Sequence, residues 1–184
     1  MPSTEGEYVL FDAGVFIGAL LTGDSRHAEA RPLVEAARRG DMLACTTTGI
    51  LSEVYAALTW QQAQPPHDPE QAAEAARLLV EPPSMIRILP DSREAALHML
   101  ELAARHQLRA RRVHDARHAA AAITAGVTLV YTYDSDDWRD WLRTPGDRLQ
   151  WEESGDEIHH PDAYPKPFSQ PSQSRVATLR RYLQ

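Results

Sequence analysis

Short apolar runs alternate with longer stretches in which apolar residues recur at helical spacing. The apolar runs have the length of buried strands and cover residues 8–11, 42–46, 85–89 and 127–131. Helical spacing is found over about 14–21, 25–39, 48–61, 69–80, 92–106 and 115–125. Strands that alternate with helices form mainly parallel sheets covered by helices. The pattern therefore predicts a three-layer α/β fold, with a mainly parallel sheet flanked by helices.

Capping and breaking residues mark the ends of several predicted helices. Ser25 is expected to cap the second helix and Gly40 to end it. Asp68 and Pro69 form an N-cap and first-turn pair that opens the fourth helix. Asp91 is expected to cap the fifth helix, which runs to about His106.

The character of the chain changes after residue 143. Prolines then punctuate a polar stretch without a clear period, and only residues 176–183 suggest a helical turn or two. We therefore predict a folded domain over residues 1–143 and a proline-rich, partly irregular extension over residues 144–184.

Composition and charge narrow the class of protein. A single cysteine, Cys45, excludes an intramolecular disulfide and fits a reducing compartment. No apolar run approaches the roughly 20 residues of a membrane span, and the N-terminus lacks the basic start of a signal peptide. We therefore expect a cytoplasmic protein with no membrane contact. The net charge of −7 argues against a general polyanion binder.

Basic residues nevertheless crowd one stretch of the chain. This stretch includes Arg109, Arg111, Arg112, Arg117 and His118. Basic groups beside an acidic site suit an anionic substrate, and these five residues are candidate contacts for it. A solvated helix end is the alternative, because cations favour helix C-termini.

Four carboxylates stand out by their positions. Asp12 and Asp134 follow apolar strands, and Asp115 begins an alanine-rich helix. Ligands of open α/β sheets bind beyond the carboxyl ends of the strands, where these acids are expected to lie. Glu53 falls at the edge of an apolar helical face, where a carboxylate must be ion-paired or metal-bound.

A cluster of four carboxylates indicates a particular chemistry. Oxygen ligands select Mg²⁺ or Mn²⁺, and the chain offers no Cys and His set of the kind that zinc prefers. Such a cluster suits two-metal phosphodiester hydrolysis, in which the metals activate a water and stabilise the leaving oxygen. For Glu53 taken alone, an ion pair with a nearby His or Arg remains the alternative.

Three segments together resemble the PIN domain nucleases, and within them the VapC-like toxins of toxin–antitoxin pairs. The segments are Leu10–Ile17, Ser52–Leu58 and Asp115–Asp134, and the resemblance extends over roughly residues 8–142. His27 also matches a histidine often found at that point. The resemblance implies an Mg²⁺- or Mn²⁺-dependent endoribonuclease with a cognate antitoxin as partner. It also makes the basic stretch a candidate RNA-binding surface. We also expect a homodimer.

The resemblance also assigns roles to individual residues. It implies that Asp12, Glu53, Asp115 and Asp134 are catalytic, metal-binding acids, that Thr132 orients them, and that Asp137 is an auxiliary metal-binding acid. The chain departs from the family at Gly14, where Ser or Asn is frequent, and the fourth ligand could be Asp134, Asp136 or Asp137.

Other readings of the sequence predict different chemistry. An aspartate-based phosphatase would have Asp-x-Asp after its first strand and a nearby lysine, whereas this chain has Asp12-Ala-Gly14 and a lone lysine, Lys166. A PIN-like RNA- or protein-binding module without catalysis and a housekeeping RNA-processing nuclease both remain open. A metal titration would identify the binding module, because a vestigial site should bind Mn²⁺ poorly.

Overall fold

The computed structural model describes residues 8–110, 112–127, 129–134 and 138, and the backbone of two further strands at 150–152 and 175–178. Its strands are β1 (Val9–Phe11), β2 (Ala44–Thr47), β3 (Arg87–Leu89), β4 (Leu129–Thr132), β5 (Gln150–Glu152) and β6 (Arg175–Thr178). Its helices are α1 (Ala13–Leu20), α2 (His27–Arg39), α3 (Thr48–Leu58), α4 (Pro69–Val80), α5 (Arg93–Arg105) and α6 (Arg112–Thr124).

The strands form one mixed sheet in the order β3-β2-β1-β4-β6-β5. The first four strands in this order are parallel, β6 pairs antiparallel with β4, and β5 pairs antiparallel with β6. The predicted α/β fold, a mainly parallel sheet flanked by helices, is confirmed. Because β1 to β4 are parallel, their carboxyl ends share one edge of the sheet, where the loops that follow them can build a common site.

The extension predicted for residues 144–184 contributes two of these strands. Val176 and Ala177 of β6 pair with Tyr131 and Val130 of β4, so the helical turn expected from residue 176 onward is replaced there by a strand. The edge of β4 would otherwise expose unpaired backbone groups, and β6 satisfies them. The domain boundary at residue 143 stays a prediction. The sequence pattern also predicts a short helix over residues 136–142, but apart from Trp138 these residues lie outside the described part of the structure.

The core lies around β1 and its two flanking helix layers. Leu10 and Phe11 of β1 are fully buried, and the ring of Phe11 packs against Phe16 of α1 with centroids 5.8 Å apart. Helix α3 buries one face through Ile50, Val54 and Leu58. In α6 the buried side chains of residues 119–122 are all alanines, which lets the backbone of this helix approach its neighbours closely. Glu53 and Asp115 are thereby carried on well-anchored helices.

The structure bears on two expectations from composition, that Cys45 forms no intramolecular disulfide and that no segment spans a membrane. Cys45 is buried in β2 without a disulfide partner, and burial raises the pKa of its thiol to about 12. Such a thiol is uncharged at neutral pH and packs as a small apolar residue. Among the described residues, no helix has both the length and the apolar character needed to cross a bilayer.

Two helix caps differ from those expected from sequence. Helix α2 begins at His27, and its N-cap residue is Arg26, which makes no side-chain capping bond, so the cap expected at Ser25 is wrong. The side chain of Asp24 accepts a hydrogen bond from the backbone N–H of Arg26 at 2.8 Å, just before the helix. Helix α5 is capped by Ser92, whose Oγ accepts from the Ala95 N–H at 3.0 Å. Asp91 turns away from that helix and binds Thr48 and Arg117. At α5, partners distant in sequence therefore compete successfully for the acid that was expected to cap the helix.

A candidate acidic active-site cleft

A cleft of about 680 Å³ opens where β1 and β4 end, between α1, α3 and α6. Asp12 follows β1, Glu53 lies on α3, Asp115 lies in the first turn of α6, and Asp134 follows β4. All four of these carboxylic acids line the cleft. Residues up to 122 positions apart in the chain thus meet in one cavity at the carboxyl edge of the sheet.

Asp12 is the most deeply held of the four acids. Its Oδ2 accepts a hydrogen bond from Thr132 Oγ1 at 2.7 Å and a longer one from Trp138 Nε1 at 3.4 Å, while Oδ1 accepts from the Ala13 N–H at 2.8 Å. Burial raises the pKa of Asp12, and the charge of Glu53 adds to the rise. The bond from Thr132 and the proximity of His118 oppose it.

Thr132 also connects Asp12 to the fourth acid. Its hydroxyl donates to Asp12 and accepts from the backbone N–H of Asp134 at 2.9 Å. Because one hydroxyl can donate one hydrogen bond and also accept, this single buried threonine orients both aspartates. The loops after β1 and β4 are thus held in a fixed relation.

Glu53 is held by a buried histidine. His118 Nε2 lies 2.9 Å from Glu53 Oε1, and His118 Nδ1 lies 2.8 Å from Thr47 Oγ1. The His118 side chain lines the cleft but is only 2% exposed, and its role as an RNA contact stays a prediction. Its contact with Glu53 matches the alternative raised for Glu53, a pairing with a nearby histidine.

Gly49 makes room for this histidine. A Cβ added at Gly49 would lie 2.5 Å from His118 Cε1 and 3.2 Å from Arg117 Cζ. Thr47, at the N-cap of α3, accepts from the Ile50 N–H at 3.2 Å through the same oxygen that meets His118. The Thr47-Thr48-Gly49 sequence therefore starts α3 and also seats His118 beneath Glu53.

The oxygen-rich set of acids fits a hard divalent cation such as Mg²⁺ or Mn²⁺. Within the described residues, however, no three Asp, Glu, His or Cys side chains are grouped closely enough to hold a metal ion together. Asp12 is bonded to Thr132 and Glu53 to His118, and like charges oppose a tighter approach without a cation. A bound metal would therefore offset this repulsion and allow the carboxylates to come closer together.

The candidate RNA-binding arginines fall in different places. Arg112 and Arg117 line the cleft, together with His114, whereas Arg109 is exposed outside it. Arg117 Nη2 donates to Asp91 Oδ2 at 3.0 Å. The hydrogen bond from Thr48, and to a smaller extent that from Arg117, lowers the pKa of Asp91. Arg111 and Asp137 lie outside the described residues, as does Asp136.

Arg26 is a cleft residue that the sequence reasoning missed. Its guanidinium pairs with the buried carboxylate of Asp24 at 2.8 and 2.6 Å and lies 5.1 Å from the centre of the Tyr133 ring. Its Nη1 would lie 3.4 Å from a Cβ at Gly14, so the glycine leaves room for this cation. The spacing Asp24-Ser-Arg26 was the available signal. His27 binds the carbonyl of Gly18 at 2.9 Å and ties α2 to α1 instead of lining the cleft.

Comparisons with known proteins agree with this architecture. The sequence matches the family model of the PIN domain over residues 9–141. The fold is similar to that of VapC20 from Mycobacterium tuberculosis, described as a sarcin-ricin loop cleaving toxin, with a TM-score of 0.56, 21% identity, and coverage of 71% of this chain and 92% of that one. It is also similar to VapBC2 from Rickettsia felis, solved with a DNA fragment from its promoter, with a TM-score of 0.51, 13% identity, and coverage of 72% and 92%.

A search of curated proteins gave no significant match. The family match covers well over half of the chain and spans every acid of the cleft, from Asp12 to Asp134. The chain belongs to the PIN domain family.

Proposed function

We propose that the protein is a metal-dependent endoribonuclease that cleaves RNA by two-metal phosphodiester hydrolysis. The observation that supports this best is the meeting of Asp12, Glu53, Asp115 and Asp134 in one cleft of a PIN domain. Bound Mg²⁺ or Mn²⁺ would neutralise the substrate phosphate, lower the pKa of the attacking water and stabilise the leaving oxygen.

The protein's own residues prepare the site for this chemistry. Thr132 fixes the carboxylate of Asp12, and His118 fixes that of Glu53, so each acid starts from a defined position. Preorganised ligands lose little conformational freedom when substrate arrives. Arg112 and Arg117 line the same cleft and offer cations to the RNA backbone.

We also propose that the enzyme is the toxin of a toxin–antitoxin pair. The similarity of its fold to VapC20, a cleaving toxin by its description, supports this role. A cognate antitoxin could silence the enzyme by placing an arginine across two of the cleft carboxylates, since a guanidinium matches paired carboxylate oxygens.

A homodimer is part of the same proposal. Helix α5 exposes Leu97 and Leu100, which are 52% and 57% accessible and lie one turn apart on one side of the helix. Large exposed apolar side chains in a soluble protein are often covered by a partner. Replacing both leucines with glutamate should give a monomer by light scattering, whereas the same change at Leu78 of α4 should leave the oligomeric state unaltered.

The defining experiment is a cleavage assay on single-stranded and looped RNA with Mg²⁺ or Mn²⁺. We expect internal cleavage that EDTA abolishes and that Asp115→Asn reduces at least 100-fold, the order of effect seen when a catalytic group is removed. Asp41→Asn is the matched control, because Asp41 is an exposed acid paired with Arg39 away from the cleft. If no RNA is cut in Mn²⁺, the binding-module alternative is favoured.

The arginines can be tested by the salt dependence of RNA binding. Replacing Arg109, Arg111 and Arg112 together should weaken binding and flatten its dependence on salt, because each phosphate contact releases counterions. Of the single changes, Arg112→Ala should lower the salt slope by about 1, and Arg109→Ala, outside the cleft, should lower it less. Equal slopes for the parent and the triple variant would assign the stretch to a solvated surface.

A further inference from the structure

The cleft is larger and more apolar than a metal site and one phosphate require. Its volume of about 680 Å³ is in the range of pockets that hold small organic ligands. Besides the acids, the cleft is lined by six apolar side chains: Ile17, Leu21, Ala56, Ala57, Trp60 and Ala63. We call this part of the cavity the apolar half.

Helix α3 and the turn that follows it connect the two halves. Glu53, Ala56, Ala57 and Trp60 recur at helical spacing, so they lie along one side of the helix and its C-terminal turn. At 1.5 Å per residue, Trp60 lies about 10 Å along the axis from Glu53. The two alanines between them have small side chains, and Trp60, which lines the same cleft, is only partly buried.

We infer that Trp60 stacks on an unpaired base of the RNA substrate, a base one to three nucleotides away from the bond that is cut. This inference rests on the proposed nuclease function and names a binding subsite for it. A nucleic acid strand rises roughly 3.4 Å per stacked nucleotide and more when extended, so about 10 Å corresponds to that number of steps. An aromatic side chain is a sequence-tolerant platform for a base.

A nucleotide fits both the shape and the charge of the cleft. Its base presents an apolar planar face to Trp60, and its phosphates suit Arg112 and Arg117, which line the same cleft, Arg117 while also pairing with Asp91. An apolar peptide segment would supply only the first of these. The base must also leave its stack to contact Trp60, which favours single-stranded or looped RNA over a duplex.

The test measures RNA binding by the full-length chain, in an Asp115→Asn background that keeps the RNA intact. The probes are a 12-nucleotide oligouridylate and an abasic ribose-phosphate chain of the same length. With Trp60 present, the oligouridylate should bind about 5- to 150-fold more tightly than the abasic chain, the value of one stacked base. Trp60→Leu should remove most of this preference, and Trp60→Phe should retain part of it.

Tyr55→Ala is the matched control, because Tyr55 is an exposed aromatic on the same helix that does not line the cleft. It should leave the preference unchanged. Thermal melts of each variant establish that it is folded, and the comparison of leucine with phenylalanine at position 60 separates lost stacking from lost packing.

Two results would overturn the inference, and they are distinguishable. If Trp60→Leu keeps the full preference for bases, the apolar half does not hold a base, and it is then available to an apolar side chain of a protein partner. If the parent neither binds nor cuts any RNA in Mn²⁺, the proposed function fails and the subsite fails with it.

Discussion

Asp12 is a carboxylate placed where its charged form is disfavoured. Burial raises its pKa, with a contribution from Glu53. A group whose pKa is raised by folding contributes stability that is fully present below its unfolded pKa, about 3.9 for an aspartate, and that is lost as the pH rises through the folded pKa. At neutral pH the charged Asp12 therefore lowers the stability of the metal-free protein, and a bound cation would offset this loss.

We predict that Asp12→Asn melts at or above the temperature of the parent in EDTA at pH 7, because asparagine still caps α1 without a buried charge. The difference should shrink as the pH falls toward 4. Mn²⁺ should raise the melting temperature of the parent, because a ligand that binds only the folded state stabilises that state. It should leave the melting temperature of the variant unchanged, because the variant lacks a metal-binding carboxylate. Melting curves over this pH range check both points. A variant less stable than the parent in EDTA at pH 7 would mean that hydrogen-bond partners favour the Asp12 charge.

The contact between His118 and Glu53 can be tested through Gly49. Gly49→Ala puts a Cβ into the imidazole of His118, and we predict a loss of about 1–3 kcal/mol in the free energy of unfolding, together with a large loss of RNA cleavage by the folded fraction. Gly126→Ala is the control. Its φ of +73° makes the alanine strained by roughly 1–2 kcal/mol, but no atom lies within 4 Å of the added Cβ. Cleavage rates measured well below both melting temperatures should fall only for Gly49→Ala.

At the residue scale, the sequence locates acids better than it locates their partners. Asp12 and Asp134 could be placed at the cleft because each follows an apolar run, and Glu53 because it borders a buried helical face. The pairing of His118 with Glu53 spans 65 positions, and no local pattern encodes it. For this reason His118 was predicted as a substrate contact and not as the partner of Glu53. Arg26 was missed for a different reason, because its partner Asp24 is only two residues away but nothing in the local sequence places the pair in the cleft.

At the element scale, hydrophobic periodicity found all four strands and all six helices over residues 8–127 and 129–132, and tertiary contacts then decided their ends. Asp91 is a good N-cap residue by type, yet it binds Thr48 and Arg117, and Ser92 caps α5 in its place. Strands β5 and β6 were not foreseen, because runs of three and four residues among prolines have no periodicity of their own. Their positions depend on pairing with distant strands: β6 pairs with the edge of β4, and β5 pairs with β6.

This assignment predicts the relative effects of two neighbouring substitutions. Ser92→Ala should lower the free energy of unfolding by about 1 kcal/mol, the usual value of an N-cap. Asp91→Ala should cost less, roughly 0.2–1 kcal/mol, because its ion pair with Arg117 is about half exposed. Urea unfolding at neutral pH measures both. The opposite order would return the capping role to Asp91.

Across the whole molecule, the proposed function requires an acidic protein with a net charge of −7 to bind a polyanion. Two features reconcile these charges. Arginines line the cleft beside the acids, and divalent cations would neutralise the carboxylates before the phosphate enters. Cleavage should therefore need free Mg²⁺ or Mn²⁺ beyond the amount that saturates the RNA, and moderate salt should weaken substrate binding by screening the arginines.

The toxin proposal makes a prediction for the living cell. Induced expression of the wild-type chain should arrest growth, because an unrestrained endoribonuclease destroys RNA faster than it is replaced, and Asp115→Asn should not arrest growth at equal protein levels. If a partner closes the cleft, co-expression of the gene immediately upstream should restore growth, and the purified complex should not cleave RNA. Growth curves with matched immunoblots measure this. Normal growth with active wild-type enzyme would instead favour a processing nuclease, whose damage is limited by substrate choice and not by a partner.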